Sequence, residues 1–226
     1  MKQSAVRVLL IGAAGRMGKT VLDMAQNDRQ IEIAAQCDLD DSIEPAMKNC
    51  DVAIDFSQAD SIDEICRAAL QHGKSLVIGT TGHSQQQRKT IEKTAQSAPV
   101  VLASNFSVGV NVLLWLTQKA AGLLGSDFKP EIMETHHKMK KDAPSGTAKM
   151  LAETLKARNT EIPIQSIREG DVVGEHTMIF SGPGESLELT HRAANRGIFA
   201  GGALRAAKWI INKPPGLYTM QDVLGL

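Results

Sequence analysis

The chain has 226 residues, 42% of them hydrophobic, which is enough for a real core in one large domain or two smaller ones. Its 25 basic and 25 acidic side chains balance, so there is no general basic field for nucleic acid or an anionic membrane surface, and local charge must do any binding. Cys37, Cys50 and Cys66 form no CxxC pair and are odd in number, which suits a reducing cytosol and argues against a disulfide scaffold.

Val6 to Ile11 is a continuous β-branched and aliphatic run, the pattern of a parallel strand buried on both faces. It is too short for a signal peptide and breaks into Gly12-Ala13-Ala14-Gly15-Arg16-Met17-Gly18. That GxxGxxG spacing lets a turn and the start of a helix approach a pyrophosphate, and an amphipathic helix from Met17 to Asn27 and a strand from Ile31 to Gln36 follow. Asp38 lies 20 residues past Gly18, where such a fold places the acid that holds the adenosine ribose hydroxyls. Strands at Val52–Phe56, Ser75–Ile78 and Val100–Ala103 alternate with helices at Ile62–His72 and near Ser84–Ser97. This rhythm predicts a doubly wound parallel sheet. The turn Gly79-Thr80-Thr81-Gly82 and the loop Ala103-Ser104-Asn105-Phe106-Ser107 then share the carboxyl edge of the sheet with the first loop, where ligands of such folds bind.

After residue 107 the pattern changes to a helix ending near Leu124, a strand over Glu131–Thr135, a helix over Thr147–Arg158, and strands at Ile164–Arg168, Glu175–Ser181 and Ser186–Ala193. The last two flank Gly-Pro-Gly-Glu, a hairpin signal, and successive strands without helices indicate a second α+β domain with a mixed or antiparallel sheet. A helix over Phe199–Ile211 closes it. The expected division is therefore residues 1–107 as a dinucleotide-binding domain, joined by the tail 217–226, and residues 108–216 as a domain for substrate and oligomerisation. No apolar stretch is long enough to cross a bilayer, since even 108–124 contains Asn111, Gln118 and Lys119.

The segment Glu134 to Ala148, ETHHKMKKDAPSGTA, holds the densest chemistry. His136 and His137 would point to opposite faces of a strand unless the strand ends there, and Pro144 and Gly146 supply an ending before the helix. The amides of Ser145, Gly146 and Thr147 then fall at a helix N-terminus, a seat for a carboxylate or phosphate. An anionic substrate with a need for proton transfer is implied. Adjacent histidines lack the spacing of zinc motifs, and no Cys or further His lies nearby in sequence, so no metal is expected.

With GAAGRMG, GTTG, ASNFSVGVN, ETHHKMKKDAPSGTA, RxGDxVGEHT, GExLExTHxAxxR and FAxGAxxAAxW in this order, the chain resembles the 4-hydroxy-tetrahydrodipicolinate reductase family, also called dihydrodipicolinate reductase. The resemblance runs nearly end to end. It implies a nicotinamide-binding Rossmann domain, a cytoplasmic homotetramer, and reduction of a six-membered cyclic imine dicarboxylate by NAD(P)H in lysine and diaminopimelate biosynthesis. Carried over by position, the pyrophosphate loop falls on Gly12, Ala13, Ala14, Gly15, Arg16 and Met17, and the ribose acid on Asp38. The nicotinamide side falls on Gly79, Thr80, Thr81 and Ala103, Ser104, Asn105 and Phe106. The proton donor falls on His136 and the catalytic lysine on Lys140, with substrate contacts on His137, Gly146 and Thr147 and Ser145 adjacent.

Some positions depart from the family pattern. The stretch between Asp38 and Val52 is short, so a peripheral helix or strand is expected to be missing; Ser104 stands where Pro is common, and Met139 interrupts a usually more polar loop. Leu39 follows the ribose acid where many relatives carry Arg, and NADH is expected to be preferred over NADPH. Two other functions compete: a nucleotide-sensing module without chemistry, which has no need of a donor-and-anion site, and a metal-dependent hydrolase built on the histidines.

Overall fold

The computed structural model describes residues 4–155 and 161–226. The chain divides into two compact units, 4–107 with 197–226, and 108–196 less the five undescribed positions. Continuous apolar runs become the inner strands of the first unit: β1 (Val6–Ile11), β3 (Val52–Asp55) and β4 (Ser75–Ile78), the last two buried at every residue. Between them lie α1 (Arg16–Ala25), β2 (Ile31–Cys37), α2 (Ile43–Lys48), a short 3₁₀ turn and α3 (Ile62–His72). Next come α4 (Gln85–Ala95) and β5 (Pro99–Leu102). A reciprocal cap between Ser84 and Gln87 fixes the start of α4. The short 39–51 segment still forms one helix, α2, whose Ile43 and Met47 are buried.

The second unit begins with α5 (Val108–Leu124), then β6 (Lys129–His136), α6 (Gly146–Thr154), β7 (Ile164–Arg168), β8 (Gly174–Gly182) and β9 (Glu185–Ala193). Its sheet runs β7-β6-β8-β9, with β7 parallel to β6 and the other pairs antiparallel. Alternation along the strands sends Ile132, Met178 and Phe180 into a core with α5 and α6, while Met133, Ile167 and Ile179 alternate to the other face and stay partly exposed. The hairpin turns through Pro183 and Gly184, and Gly184 takes φ +82°. The helix expected over Thr147–Arg158 is observed to Thr154; its last positions fall outside the described residues.

The chain then returns to the first unit through α7 (Gly197–Ile210), β10 (Gly216–Tyr218) and α8 (Met220–Leu224). The six-stranded sheet is parallel throughout, in the order β10-β5-β4-β3-β1-β2, and β10 extends it at β5. This corrects the expected boundary at 216, because residues 197–216 group with the dinucleotide-binding unit. The cause is packing: Ala200, Ala203, Ala206, Ala207 and Ile210 are fully buried in one core with Val8, Leu10, Val52 and Val77. The opposite face of the sheet is covered by α2, α3 and α4 over Leu9, Ile11, Ala53, Leu76 and Ile78.

Candidate active site

Two sets of residues carry the chemistry, one in each unit. In the first, Gly12 takes φ +82° at the end of β1, and a Cβ there would lie 2.5 Å from the Phe56 carbonyl oxygen. A Cβ at Gly18 would lie 2.2 Å from the Gly12 oxygen, so the loop closes against α1 only with glycine at both places. Helix α1 starts after Gly15 with no side-chain cap, which leaves its first-turn amides to a ligand. Ala14, Gly15 and Arg16 are exposed at that turn, Gly12 and Ala13 are buried, and Met17 is half-buried. Asp38 lies just past β2 and accepts from the Ala14 amide at 3.1 and 3.0 Å, so the expected ribose acid is joined directly to the glycine loop. A cavity of 310 Å³ opens beside them, lined by Gly12, Ala14 and Gly15 and by the acids Asp38, Asp41 and Glu64. The loop and acid therefore fit a dinucleotide.

At the same sheet edge, the Gly79 amide donates to the Asp55 carbonyl and the Ala103 amide to the Ile78 carbonyl. Thr80 is buried, Thr81 and Ser104 are exposed, and Asn105 accepts from the Ser107 amide at 2.9 Å. The Phe106 ring is a core group, 2% exposed and edge-on to Phe56 at 5.9 Å. Asp55, in the Asp55-Phe56-Ser57 loop that the sequence also places at this edge, had no role of its own assigned; it is fully buried and its Oδ1 accepts from the amide and hydroxyl of Ser57. Burial raises its pKa against the pull of those bonds.

In the second unit β6 ends at His136, as the paired histidines require. His136 is a buried strand residue, its Nδ1 bonded to the carboxylate of Glu134, which is fully buried on the same face. His137 begins the loop, is half-buried, and donates its amide to the Val172 carbonyl. Lys140 Nζ reaches both oxygens of Asp142 at 2.8 and 2.9 Å. The Ala143–Pro144 bond is cis, and Ser145 caps α6 by accepting from the Ala148 amide. One expectation is corrected here: the Ser145 amide is spent on Glu134 at 3.2 Å, so of the three amides at this turn Ser145 offers none to a ligand. Gly146 is exposed and Thr147 half-buried at the start of the helix.

Two partners come from strands distant in sequence. Arg168 forks onto Glu134 at 3.0 and 2.8 Å, and His176 lies edge-on to His136 at 5.0 Å with its Nε2 3.1 Å from Ser145 Oγ. Burial works to raise the Glu134 pKa, but hydrogen bonds from Arg168, then Ser166 and His136, outweigh it and hold the group at about 2. Burial lowers His136, with Glu134 opposing it and Lys140 and Arg168 adding to it. Glu134 was readable from the strand period, being two residues before His136; Arg168 and His176 stand in the RxGDxVGEHT motif, but only strand register brings them to this site. His176 also corrects the view that no further histidine is near. Glu134, His136 and His176 bring ligand-type atoms within 4.8 Å of one another. Both Glu134 oxygens already bind a guanidinium, however, and its charge opposes a cation there.

Comparison with known proteins identifies the family. A family model for the N-terminus of dihydrodipicolinate reductase matches residues 6–106, and one for its C-terminus matches residues 109–224. The chain belongs to the dihydrodipicolinate reductase family. The 4-hydroxy-tetrahydrodipicolinate reductase of Akkermansia muciniphila is 46% identical, covering 98% of both chains, and that of Zymomonas mobilis is 43% identical over 100% of this chain and 99% of its own. A dipicolinate-bound dihydrodipicolinate reductase from Paenisporosarcina sp. TG-14 shares the fold with a TM-score of 0.85 at 23% identity, covering 96% of this chain and 98% of that one. The chain is thus an NAD(P)H-dependent oxidoreductase that reduces 4-hydroxy-tetrahydrodipicolinate to tetrahydrodipicolinate in lysine and diaminopimelate biosynthesis. Among the described residues no helix is long and apolar enough to cross a membrane.

Proposed function

We propose that in this reductase His136 donates the proton and Lys140 holds a substrate carboxylate, with NADH as the preferred cofactor. Bound NAD(P)H supplies the hydride. Loss of water from the hydroxyl-bearing ring leaves an imine conjugated to an alkene, and hydride addition pushes electron density toward nitrogen, so a nearby cation and acid stabilise the developing charge. The observation that carries this reading is the His136 ring, fixed at Nδ1 by Glu134 at the strand end where the Lys140 loop begins. The second anion seat is formed by His137 with Gly146 and Thr147, where Gly146 opens α6 and Ser145 serves as its cap. Lys140 is held by Asp142 and exchanges that partner for substrate.

The cofactor is held by Gly12, Ala13, Ala14, Gly15, Arg16 and Met17 at its pyrophosphate and by Asp38 at its ribose. Gly79, Thr80, Thr81, Ala103, Ser104, Asn105 and Phe106 lie on its nicotinamide side. Preference for NADH follows from Asp38, Asp41 and Glu64 around one cavity, with no basic side chain among the described residues that line it. The enzyme works as a cytoplasmic homotetramer, and pyridine-2,6-dicarboxylate, held by the Paenisporosarcina relative, competes with substrate. The test is steady-state oxidation of NADH with freshly made substrate. His136→Ala should lower kcat by roughly 10²–10⁴-fold, the range for a general acid, and Lys140→Ala should also raise KM for the imine. Near-normal kcat in the first, or intact kcat and KM in the second, rejects the assignment.

A further inference from the structure

We infer that Glu134 and Arg168 form a positioning pair that holds the His136 ring with its proton on Nδ1, so that Nε2 is the atom that passes a proton to substrate. The inference deepens, and rests on, the reading of His136 as proton donor. The strand period sets Glu134 and His136 on one face of β6, and the parallel register sets Arg168 of β7 beside His136. A bare carboxylate that is fully buried is costly unless its lone pairs are filled. Here they are filled: Oε1 accepts from Arg168 at 2.8 Å and from the Ser145 amide at 3.2 Å, and Oε2 from Arg168 at 3.0 Å and from His136 Nδ1. An ionised carboxylate only accepts, so the ring nitrogen facing it must carry the hydrogen.

Arg168 has two effects on this arrangement. Its charge keeps Glu134 from taking the proton itself. Its NH2 group also donates to the Asp142 carbonyl at 2.6 Å, which ties the loop bearing Lys140 to the same carboxylate. The other charged or titratable groups around the ring are Lys140 from the loop and His176 from β8, the latter edge-on. Toward Nε2 the neighbour is backbone: a Cβ at Gly174 would lie 3.1 Å from that nitrogen. When the imidazolium gives up its Nε2 proton to the enamide formed by hydride addition, the ring is left neutral with Nδ1–H still on Glu134. The pair thus selects one tautomer at the end of each turnover. A buried ion pair contributes little net stability compared with apolar packing, so a specifying role is the better account of it.

The test uses whole protein labelled with ¹⁵N in histidine, with NMR at pH 8, together with kinetics. His136 should show the Nδ1–H tautomer in the wild type and lose it in Glu134→Gln. That variant should lose roughly 10²–10⁴ in kcat, as when a catalytic histidine loses its orienting acid, with KM for NADH little changed. In a His136→Ala background the same substitution should cost less than about threefold, since its effect runs through the ring. A wild-type ring in the Nε2–H form, or equal losses in both backgrounds, overturns the inference. If Glu134→Gln does not fold, the wild-type spectrum and Arg168→Lys, which keeps the charge but loses the fork, decide in its place: unchanged kcat in Arg168→Lys counts against the pair. Full activity in His136→Ala alone would instead remove the proton-donor reading and leave the tautomer assignment standing.

Discussion

Burial is the largest cause lowering the His176 pKa to about 4, and the His136 ring beside it adds to the effect. In an unfolded chain the imidazole titrates near 6.5. Above pH 6.5 neither state binds the proton; between 6.5 and 4 the unfolded chain takes it up and the folded one refuses it. Stability is therefore complete at neutral pH and falls by about 3 kcal/mol as pH drops through that window. His136, His83 and His191 are lowered as well and act in the same sense, whereas Glu134, held at about 2, matters only below pH 4.5. Thermal melts from pH 8 to 4 should show this decline, and His176→Gln should flatten it; a wild-type Tm constant to pH 4.5 contradicts the account. Leu39 bears on the choice of cofactor. It is 79% exposed beside Asp38, where the 2′-phosphate of NADPH would meet a like charge. Two unit charges about 4 Å apart repel by roughly 4 kcal/mol at an effective dielectric near 20. Leu39→Arg should raise kcat/KM for NADPH while leaving NADH use in place, and a wild type equally efficient with both cofactors would reject the charge argument.

Helix α7 shows how a whole element depends on a missing side chain. A Cβ on Gly202 would lie 1.8 Å from the Phe106 carbonyl oxygen, because the alanine-rich face of the helix sits directly on the sheet and its loops. Backbone cannot swing aside as a side-chain tip can. Gly202→Ala should cost about 1–3 kcal/mol, a fall of roughly 2–12 °C in Tm. Gly122 in α5 has open space around its Cβ direction, and Gly122→Ala should be neutral or stabilising by up to about 1 kcal/mol. Equal Tm changes in the two variants would remove the close-approach argument. The same helix marks where the sequence is hard to read. β1, β3 and β4 were legible because strands buried on both faces are written as unbroken apolar runs, and the Gly12–Gly18 loop because glycine spacing reports backbone approach. Nothing local in residues 197–210 says which sheet they cover; their partners include β1, β3, β4 and α1, more than a hundred residues earlier. In the candidate active site His136, Lys140 and Ser145 came from one short segment, but Arg168 and His176 depend on a register that pairs Arg168 with His136 and His176 with Glu134.

At the scale of the whole molecule the balanced charge leaves association to particular faces. The second sheet has one face packed on α5 and α6, while Met133, Ile167 and Ile179 come up on the other within a rim of charged side chains that includes Glu131, Glu175, Glu188 and Arg192. An apolar centre with a polar rim is how protein interfaces are commonly built. Closed symmetry favours a face that can meet its own copy, and a sheet presenting alternate side chains can do so about a twofold axis. The proposed homotetramer should therefore be built on this face. Size-exclusion chromatography with light scattering should give four times the 24.3 kDa chain mass at micromolar concentration. Ile179→Lys places a charge at the centre of the patch without touching the core beneath, where Met178 and Phe180 point the other way. It should shift the protein to dimers or monomers while the circular dichroism spectrum stays that of the wild type. A tetramer unaffected by Ile179→Lys would place the interface elsewhere, and a monomeric wild type would reject the assembly itself.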